Sequence, residues 1–341
     1  MASDTCTITI NGATYQAKLG DTLLEAGSNN RVGLAHDCLS GRCGSCRVRV
    51  LGGDIDDCGT RENDSVLACQ ATIEGDAEIA FDPAPATRTI QGEVDSIETI
   101  GPDVLQVRLR MDKAVSWLPG HYIRLKFRGY PPRDYSPTFA LDLGPEPDLL
   151  VFHMDVRDGG QVSAALGKDI AEGHRVAAVG PFGNAFLRRR PGRLILVSTG
   201  TGFGPLWAIA VAATLRGTDQ PVKLISGARR VSGLYMRQAV GWLRARGASV
   251  ILTAEDGDGT LIRTKAPQNL LPDLAPSDMV HAAGAPAMVE AVRATVLAAG
   301  ADFHANAFSA AEPQQPFQPP ALPRAARLRM TAGKLDLTAR L

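Results

Sequence analysis

The chain has 341 residues, of which 45% are hydrophobic and 21% charged, and its formal net charge is zero. This composition is typical of globular domains, and the length indicates two or three of them. No apolar run reaches the roughly 18 residues of a membrane span, and the N-terminal stretch lacks the basic and apolar regions of a signal peptide. We therefore expect a cytoplasmic protein with no membrane partner.

The charge is unevenly distributed along the chain. Residues 1–81 contain twelve Asp or Glu and six Lys or Arg, so this part carries a net charge of −6 and the remainder +6. An acidic segment disfavours nucleic acid as a partner. Two interpretations stay open: a surface that docks on a basic protein, or an ordinary solvated surface.

The first 82 residues predict a small α+β domain. The stretches TCTITI and ATYQAKL alternate as a hairpin that turns at Asn11-Gly12. The stretch DTLLEAGSNN is typical of a helix capped by Asp21 or Thr22. A cysteine-rich loop and the strand CRVRVLGG follow, and the Pro/Ala-rich segment 83–88 predicts a linker.

Four of the six cysteines are spaced as C-x4-C-x2-C followed by a distant cysteine. Iron–sulfur clusters need soft thiolate ligands and backbone N–H groups that face the sulfur atoms. Gly41, Gly44 and Ser45 are small enough to let the loop wrap closely. Structural zinc, the alternative, usually takes two separated Cys/His pairs. The spacing therefore predicts a [2Fe–2S] cluster held by Cys38, Cys43, Cys46 and Cys69, with Cys6 and Cys58 uninvolved.

Residues 89–190 predict a small antiparallel β-barrel, because short alternating strands are separated by turn clusters such as GYPPRD. The stretch RDYSP puts Arg133, Tyr135 and Ser136 at a strand end, where they could contact a phosphate, a flat ring and a flavin nitrogen. Taken alone, this stretch is more typical of an ordinary exposed strand end. Further on, Gly159 and Gly160 precede a predicted helix whose free N–H groups suit a pyrophosphate, or which is simply a capped helix.

Residues 191–311 predict a doubly wound parallel sheet. Short apolar strands such as RLILVS and SVILTA alternate with the helical stretches PLWAIAVAATLRG and GLYMRQAVGWLRARG. Gly200, Gly202 and Gly204 lie between a strand and a helix, where a nucleotide phosphate could approach the backbone. A glycine-rich packing turn is the alternative. Residues 312–341 form a proline-rich and then basic tail with no visible chemistry.

These motifs resemble those of two known protein families. The cysteine pattern and the elements around it closely resemble plant-type ferredoxin domains over residues 5–82. The stretch RDYSP followed by DGGQVSAALG inside a barrel resembles the FAD-binding domain of the ferredoxin–NADP reductase family. That resemblance implies Tyr135 and Ser136 at the reactive edge of the flavin. It implies FAD contacts from Arg133, Tyr135, Ser136, His153, Gly160, Gln161, Val162, Ser163 and Phe308.

The nucleotide segment is similar to the same reductase family. The stretch TGTGFGP resembles the family's GGTGxAP, and AAGAPAMVEAV resembles its CGxPxMV, which implies a site for NADH or NADPH. The implied contacts are Gly200, Thr201, Gly202, Gly204, Arg229, Arg230 and Gly284. Arg229 and Arg230 follow the second strand, where an adenosine 2′-phosphate would lie, so we expect NADPH to be tolerated. Two positions depart from the family: Ala283 replaces its cysteine and Asn306 its terminal acidic residue.

The order of the three segments resembles the reductase components of bacterial Rieske aromatic-ring dioxygenases, such as the naphthalene, benzoate and terephthalate systems, over residues 5–310. The resemblance implies an enzyme that passes electrons from NAD(P)H through FAD and the cluster to a terminal oxygenase or an intermediate ferredoxin. Two alternatives remain: a reductase of a di-iron monooxygenase or deoxysugar dehydrase, and a non-enzymatic iron–sulfur sensor.

Overall fold

A computed structural model describes residues 4–140, 146–157, 159–217 and 220–307. The described chain contains three sheets, of five, six and six strands, which follow one another along the sequence. The boundaries of the three domains stay a prediction. Phe308 and the tail 312–341 lie outside the described residues.

The first sheet carries the cysteine loop. Helix α1 (Leu23–Asn29) packs on it, and the loop follows that helix. The strand order is β2-β1-β5-β3-β4. The strands are β1 (Thr5–Ile10), β2 (Ala13–Lys18), β3 (Arg47–Asp56), β4 (Ser65–Leu67) and β5 (Thr72–Ala80).

The predicted hairpin is part of this sheet, and the predicted helix packs on it. Asn11 and Gly12 form the β1–β2 turn with φ of +50° and +82°, the conformation that a two-residue hairpin turn requires. Thr22, not Asp21, caps α1. Its hydroxyl accepts from the Glu25 N–H (3.1 Å), and the Glu25 carboxylate accepts from the Thr22 N–H (2.8 Å).

The second sheet is the predicted antiparallel barrel. Its strand order is β10-β7-β6-β11-β8-β9, and the Thr138 N–H donates to the Val151 carbonyl (2.8 Å), so the segment after β9 joins β10. Strands β9 and β11 escaped the sequence prediction, because β9 has only three residues and β11 contains Gly and Pro. The strands are β6 (Arg88–Gly101), β7 (Val104–Met111), β8 (Tyr122–Phe127), β9 (Arg133–Tyr135), β10 (Leu149–Asp155) and β11 (Arg175–Phe182).

The third sheet is parallel and doubly wound, as predicted. Its order is β15-β14-β13-β12-β16-β17. The strands are β12 (Leu194–Thr199), β13 (Val222–Ala228), β14 (Ser249–Ala254), β15 (Ile262–Arg263), β16 (Met279–Gly284) and β17 (Asp302–Ala307). Helices α2 (Phe203–Leu215) and α3 (Arg237–Arg244) contribute to one buried core, and α4 (Pro286–Ala298) contributes to the core on the other face.

Two predicted helices differ in the structure. The stretch after Gly160 folds as consecutive turns rather than a helix, because Ser163 bonds back to the Arg157 backbone and Gly167 takes a φ of +74°. Helix α3 begins at Arg237 instead of Gly233, after a short 3-10 turn at Val231–Gly233. None of the described helices is both long and apolar enough to cross a membrane.

Candidate functional site

The cysteine loop has a backbone suited to wrapping sulfur. Leu39, Gly41 and Gly44 have φ of +55°, +76° and +70°, so the chain turns repeatedly between Cys38 and Cys46. The N–H groups of Ser40 and Cys43 donate to the Cys38 sulfur (3.5 and 3.3 Å). Such N–H donors stabilise thiolate charge, which a cluster requires.

The four thiols associate in two pairs. Beside the effect of burial, the Cys43 side chain is close enough to lower the pKa of the Cys38 thiol, and the Cys69 side chain is close enough to raise the pKa of the Cys46 thiol. Among the described residues no three His, Cys, Asp or Glu side chains converge on a single ion. Two pairs of thiolates are the donor set of a two-iron cluster with two protein ligands per iron. The residues therefore fit a [2Fe–2S] group, and the choice of ligands stays a prediction.

The two pairs differ in their surroundings. Cys38 is exposed; burial would raise the pKa of its thiol, but hydrogen bonds from Ser40 and Cys43 bring that pKa down to about 6. Cys46 is buried, and burial raises the pKa of its thiol to about 12. Cys6 lies apart and points its thiol at the Ala17 carbonyl (3.8 Å).

Strand β9 carries the predicted flavin residues. Arg133 and Tyr135 are half-buried and Asp134 is exposed, as expected when successive side chains point to opposite faces. The Arg133 guanidinium donates to the Pro132 carbonyl (2.8 Å) and makes no ion pair among the described residues, which leaves donors for a phosphate. Tyr135 packs edge-on against Phe152, and burial raises the pKa of its phenol to about 12. Ser136 follows directly and is half-buried.

The remaining predicted flavin residues lie on β10 and in the turns after it. His153 is buried and hydrogen bonds the Tyr235 hydroxyl (3.3 Å), and burial lowers the pKa of its imidazole to about 3. The ring is therefore neutral at pH 7. A Cβ on Gly160 would lie 2.2 Å from the Ser163 hydroxyl, so a larger residue there would displace that hydroxyl from the Arg157 backbone. Gln161 and Val162 complete this tight turn.

The third sheet offers a nucleotide site where its strand order reverses. Strands β13, β14 and β15 extend to one side of β12, and β16 and β17 extend to the other. Ligands of doubly wound sheets bind in the crevice at the carboxyl ends of the strands at this switch point. Gly200, Thr201 and Gly202 follow β12 there, and Gly284 ends β16.

The glycines on the two strands approach each other closely. A Cβ on Gly202 would lie 2.2 Å from the Ala283 carbonyl oxygen, and one on Gly284 would lie 2.3 Å from the Thr199 hydroxyl. Thr199, which the sequence reasoning missed, accepts from the Ala285 N–H (2.9 Å). The crevice floor is therefore bare backbone, which a phosphate can approach.

A pocket beside this crevice contains an arginine that the sequence did not single out. Gly200, Gly227, Tyr235 and Arg237 contribute to its lining. Arg237 is exposed and has no ion pair among the described residues, so its guanidinium can meet an anion.

The arginines predicted to meet a 2′-phosphate are solvent-exposed. Arg229 and Arg230 follow β13. The Asp256 carboxylate accepts from the N–H of Val231, directly after Arg230 (2.7 Å). A carboxylate therefore stands beside these arginines, supplied by the turn that follows strand β14.

The two departures from the family have defined surroundings. Ala283 is fully buried next to β12, in register with Ser198. Asn306, on β17, donates to the Gly120 carbonyl of the barrel (2.9 Å). Phe308 lies outside the described residues, so its predicted flavin contact stays a prediction.

Comparisons with known proteins agree with these features. Residues 7–74 match the family model of the 2Fe-2S iron-sulfur cluster binding domain. The ferredoxin–NAD(P)+ reductase component of the naphthalene 1,2-dioxygenase system of Pseudomonas putida is 32% identical, over 80% of this chain and 88% of that protein. The ferredoxin–NAD+ reductase component of the alkene monooxygenase system of Xanthobacter autotrophicus is 28% identical, over 72% of this chain and 80% of that protein.

A solved structure shows the same fold over nearly the whole described chain. The ferredoxin reductase in carbazole 1,9a-dioxygenase is 25% identical, has a TM-score of 0.60, and is matched over 89% of this chain and 98% of its own. The chain therefore belongs to the family of ferredoxin–NAD(P)+ reductases of oxygenase systems, enzymes that draw electrons from NAD(P)H and carry FAD and a [2Fe–2S] cluster.

Proposed function

We propose that this chain is the reductase component of an aromatic-ring-hydroxylating dioxygenase system, and that its electron acceptor is a terminal Rieske oxygenase or an intermediate ferredoxin. The most similar relative named above belongs to a naphthalene dioxygenase system, which supports an aromatic substrate for the oxygenase partner.

The observation that carries the proposal is a chain of contacts through the three candidate cofactor sites. Asp37, next to Cys38, bonds to Tyr122 and Arg124 of the barrel. On its other side the barrel meets the nucleotide crevice, because the Thr138 hydroxyl donates to the Gly204 carbonyl (2.7 Å). These contacts connect the candidate flavin segment to the candidate cluster loop and to the candidate coenzyme crevice, which supports electron flow through the flavin to the cluster.

The residues have distinct roles in this scheme. Arg133 and the turn at Gly160 to Ser163 would bind the FAD phosphates, and Tyr135 and Ser136 would border the isoalloxazine ring. The neutral ring of His153 lines the flavin site without adding charge to it. When bound, FAD would supply acceptance of two electrons from NAD(P)H, and the cluster would supply their onward passage one at a time. The protein would orient the coenzyme relative to FAD. The coenzyme phosphates would bind to the exposed backbone of the turn opposite Gly284, which contains Gly200, Thr201, Gly202 and Gly204.

The experiment separates the cluster from the flavin. Cys43→Ser replaces a soft thiolate by a poorly ionised hydroxyl, so we expect the cluster to be lost while FAD is retained. This variant should still oxidise NAD(P)H with ferricyanide, which can take electrons from the flavin. It should fail with cytochrome c or the oxygenase, which we expect to need the cluster. Loss of flavin in this variant, or undiminished delivery to the oxygenase, contradicts the proposed path.

The converse variant is the control. Arg133→Ala removes the charge that pairs with the FAD phosphate, so we expect weak FAD binding and loss of both activities. Its visible spectrum should keep the iron–sulfur bands. A variant that holds FAD normally would show that Arg133 has another role.

A second candidate function is the reductase of a monooxygenase. The alkene monooxygenase relative supports it. Purified oxygenases of both classes, each assayed for substrate hydroxylation with this reductase and NADH, distinguish the two partners. Turnover with the monooxygenase alone would replace the dioxygenase assignment.

A further inference from the structure

The outer face of strands β8 and β9 connects the two electron carriers' sites. On β8, Ile123 and Leu125 are fully buried in the barrel core, so Tyr122 and Arg124 point to the other face. Arg124 pairs in register with Asp134 of β9. The same short strand β9 therefore presents Asp134 outward and the flavin residues Arg133 and Tyr135 to the opposite face.

Arg124 joins two carboxylates from different parts of the chain. Its Nε and Nη2 donate to Asp134 (2.8 and 2.9 Å), and its Nη1 and Nη2 donate to Asp37 (3.2 and 3.0 Å). Each contact is bidentate, which fixes orientation as well as distance. Asp134 belongs to the flavin strand, and Asp37 immediately precedes the candidate cluster ligand Cys38.

Tyr122 strengthens the same link. Its hydroxyl donates to Asp37 (2.6 Å) and lies 3.5 Å from the hydroxyl of Ser45. Ser45 stands in the sequence between the candidate ligands Cys43 and Cys46. The Asp37 side chain is only 12% exposed, so this contact is shielded from water. The Tyr122 ring stacks on the Phe182 ring, with 5.7 Å between their centroids. The Arg124 guanidinium lies 5.2 Å from the centroid of the Phe182 ring. Both side chains are therefore held by packing before they meet the cysteine loop.

We propose that Arg124, assisted by Tyr122, is a positioning residue that fixes the Asp37–Cys38 segment against strand β9 and thereby sets the rate at which electrons pass from flavin to cluster. The inference rests on the proposed electron path. The step is the transfer of one electron at a time, which oxidises the flavin and reduces the cluster; no bond forms or breaks, and no further reactant is needed.

The test compares two arginines of the same barrel. Arg124→Gln removes the bidentate contacts to Asp37. Arg110→Gln is the matched control, because Arg110 has a similarly exposed side chain (36% against 34%) but its ion-pair partners within the described part of the chain are the barrel residues Asp95, Glu146 and Asp148. Each holoenzyme is mixed with NADH in a single turnover, and flavin bleaching and cluster reduction are followed separately by absorbance and by the electron paramagnetic resonance signal of the reduced cluster.

We expect flavin bleaching in Arg124→Gln to match the wild type while cluster reduction slows severalfold, since a cysteine loop released from Arg124 is no longer held at a fixed distance from strand β9. Hydrogen exchange, measured without NADH, should accelerate in the peptide spanning residues 36–47 and stay unchanged in Arg110→Gln. Arg124→Lys should recover only part of the rate, because an ammonium cannot form both bidentate contacts.

Three results would overturn the inference. The first is wild-type cluster reduction in Arg124→Gln, the second is equal slowing in Arg110→Gln, and the third is unchanged exchange in residues 36–47. Should Arg124→Gln not fold, Tyr122→Phe removes one hydroxyl from the same link and must slow cluster reduction without slowing flavin bleaching. If NADH fails to reduce the cluster of the wild-type enzyme, the proposed function fails instead.

Discussion

Gly202 shows how a single residue can shape the coenzyme crevice. Its φ is −57°, a conformation open to any residue, so backbone strain does not explain the glycine. The constraint is space, because a Cβ would lie 2.2 Å from the Ala283 carbonyl oxygen. The close approach also brings Ala283, the replacement for the family's cysteine, directly under the candidate phosphate loop.

We therefore expect Gly202→Ala to lower kcat/KM for NADH by about tenfold or more, since overpacking costs roughly 1–3 kcal/mol. FAD content should not change, because Gly202 lies in the turn after β12 and its added Cβ would meet the end of β16 rather than strand β9. The matched control is Gly241→Ala in helix α3, where the added Cβ meets nothing within 4 Å. There alanine should preserve kcat/KM and favour the helix by about 0.5–1 kcal/mol. Equal NADH kinetics in the two variants would contradict the crowding argument.

The second prediction at this scale concerns coenzyme choice. Asp256 stands beside Arg230, so a 2′-phosphate would meet both an attractive and a repulsive charge. We expect the wild type to prefer NADH and to tolerate NADPH. Asp256→Asn should raise the efficiency of NADPH relative to NADH, and Arg230→Ala or Arg229→Ala should lower it, because a charged hydrogen bond contributes about 1.5–3 kcal/mol. Steady-state kinetics with both coenzymes measure the ratio, and a ratio insensitive to all three changes would remove these residues from the site.

At the scale of single elements, helix α1 supports the cluster site from behind. The N–H groups of Leu23 and Leu24 donate to the carbonyls of Ala71 and Ala68 (3.0 and 2.8 Å), on either side of Cys69. The capping box of Thr22 and Glu25 holds the first turn of this helix. The cap therefore stabilises the segment that carries the fourth candidate ligand.

We expect Thr22→Ala to weaken the helix by about 1 kcal/mol, which corresponds to about fivefold faster amide exchange in residues 23–29. Release of iron to a chelator should also accelerate. Thr22→Ser keeps the accepting hydroxyl and is the control, with near wild-type exchange expected. Identical exchange in the alanine and serine variants would mean that tertiary contacts alone hold the helix.

The elements that could be predicted from sequence are those whose signals are local. The Asn11-Gly12 turn, the capped helix and the cysteine spacing are encoded within a few residues, and the structure contains all three. Strand β9 was not recognised, because three residues are too few for an alternating pattern and its partner β8 is what makes it a strand. The sequence after Gly160 is typical of a helix N-terminus, but the Ser163 hydroxyl accepts from the Arg157 N–H and the segment forms turns instead.

The parts of the site that escaped prediction depend on distant pairs. Asp37 and Arg124 are 87 positions apart, and neither has a local pattern that marks it as an interface residue. Asp256 reaches the region of the coenzyme arginines only because β14 pairs with β13. Single-sequence motifs identified the cofactor sites, whereas the contacts that join those sites appear only in the fold.

At the scale of the whole molecule, buried histidines make stability depend on pH. Burial, together with the nearby charge of Arg188, lowers the pKa of His121 to about 4 and that of His281 to about 3, and it lowers the pKa of His304 well below the usual range. The unfolded chain takes up protons near pH 6.5, which the folded protein resists. The stabilisation is therefore complete above about pH 6.5 and is lost progressively as the pH falls below it.

We expect the thermal unfolding midpoint to fall between pH 7 and pH 5, and His281→Gln to reduce the size of that fall. The control is His174→Gln, whose half-buried ring bonds the Arg128 carbonyl (3.0 Å) on the barrel surface. Midpoints measured by circular dichroism at both pH values give the comparison. Equal pH dependence in the wild type and His281→Gln would show that other groups determine acid sensitivity.

The final prediction concerns how the molecule meets its electron acceptor. The first 81 residues carry a net charge of −6. The exposed part of the cysteine loop includes Cys38 and Leu39, and Leu39 is 57% exposed. An acidic domain with an exposed apolar residue beside its redox centre suits a basic acceptor surface, because opposite charges speed encounter without fixing affinity. The Debye length falls from about 30 Å at 0.01 M salt to about 10 Å at 0.1 M, so electrostatic steering of the acceptor should weaken over this range.

Electron delivery below acceptor saturation should then slow as salt rises, while NADH oxidation with ferricyanide should change far less. Asp64 and Glu78 are exposed carboxylates within the first 81 residues, so the double variant Asp64→Asn/Glu78→Gln should flatten the salt dependence, whereas Asp273→Asn, on the nucleotide domain, should not. A salt profile that is already flat in the wild type would mean that the acidic surface is only solvated.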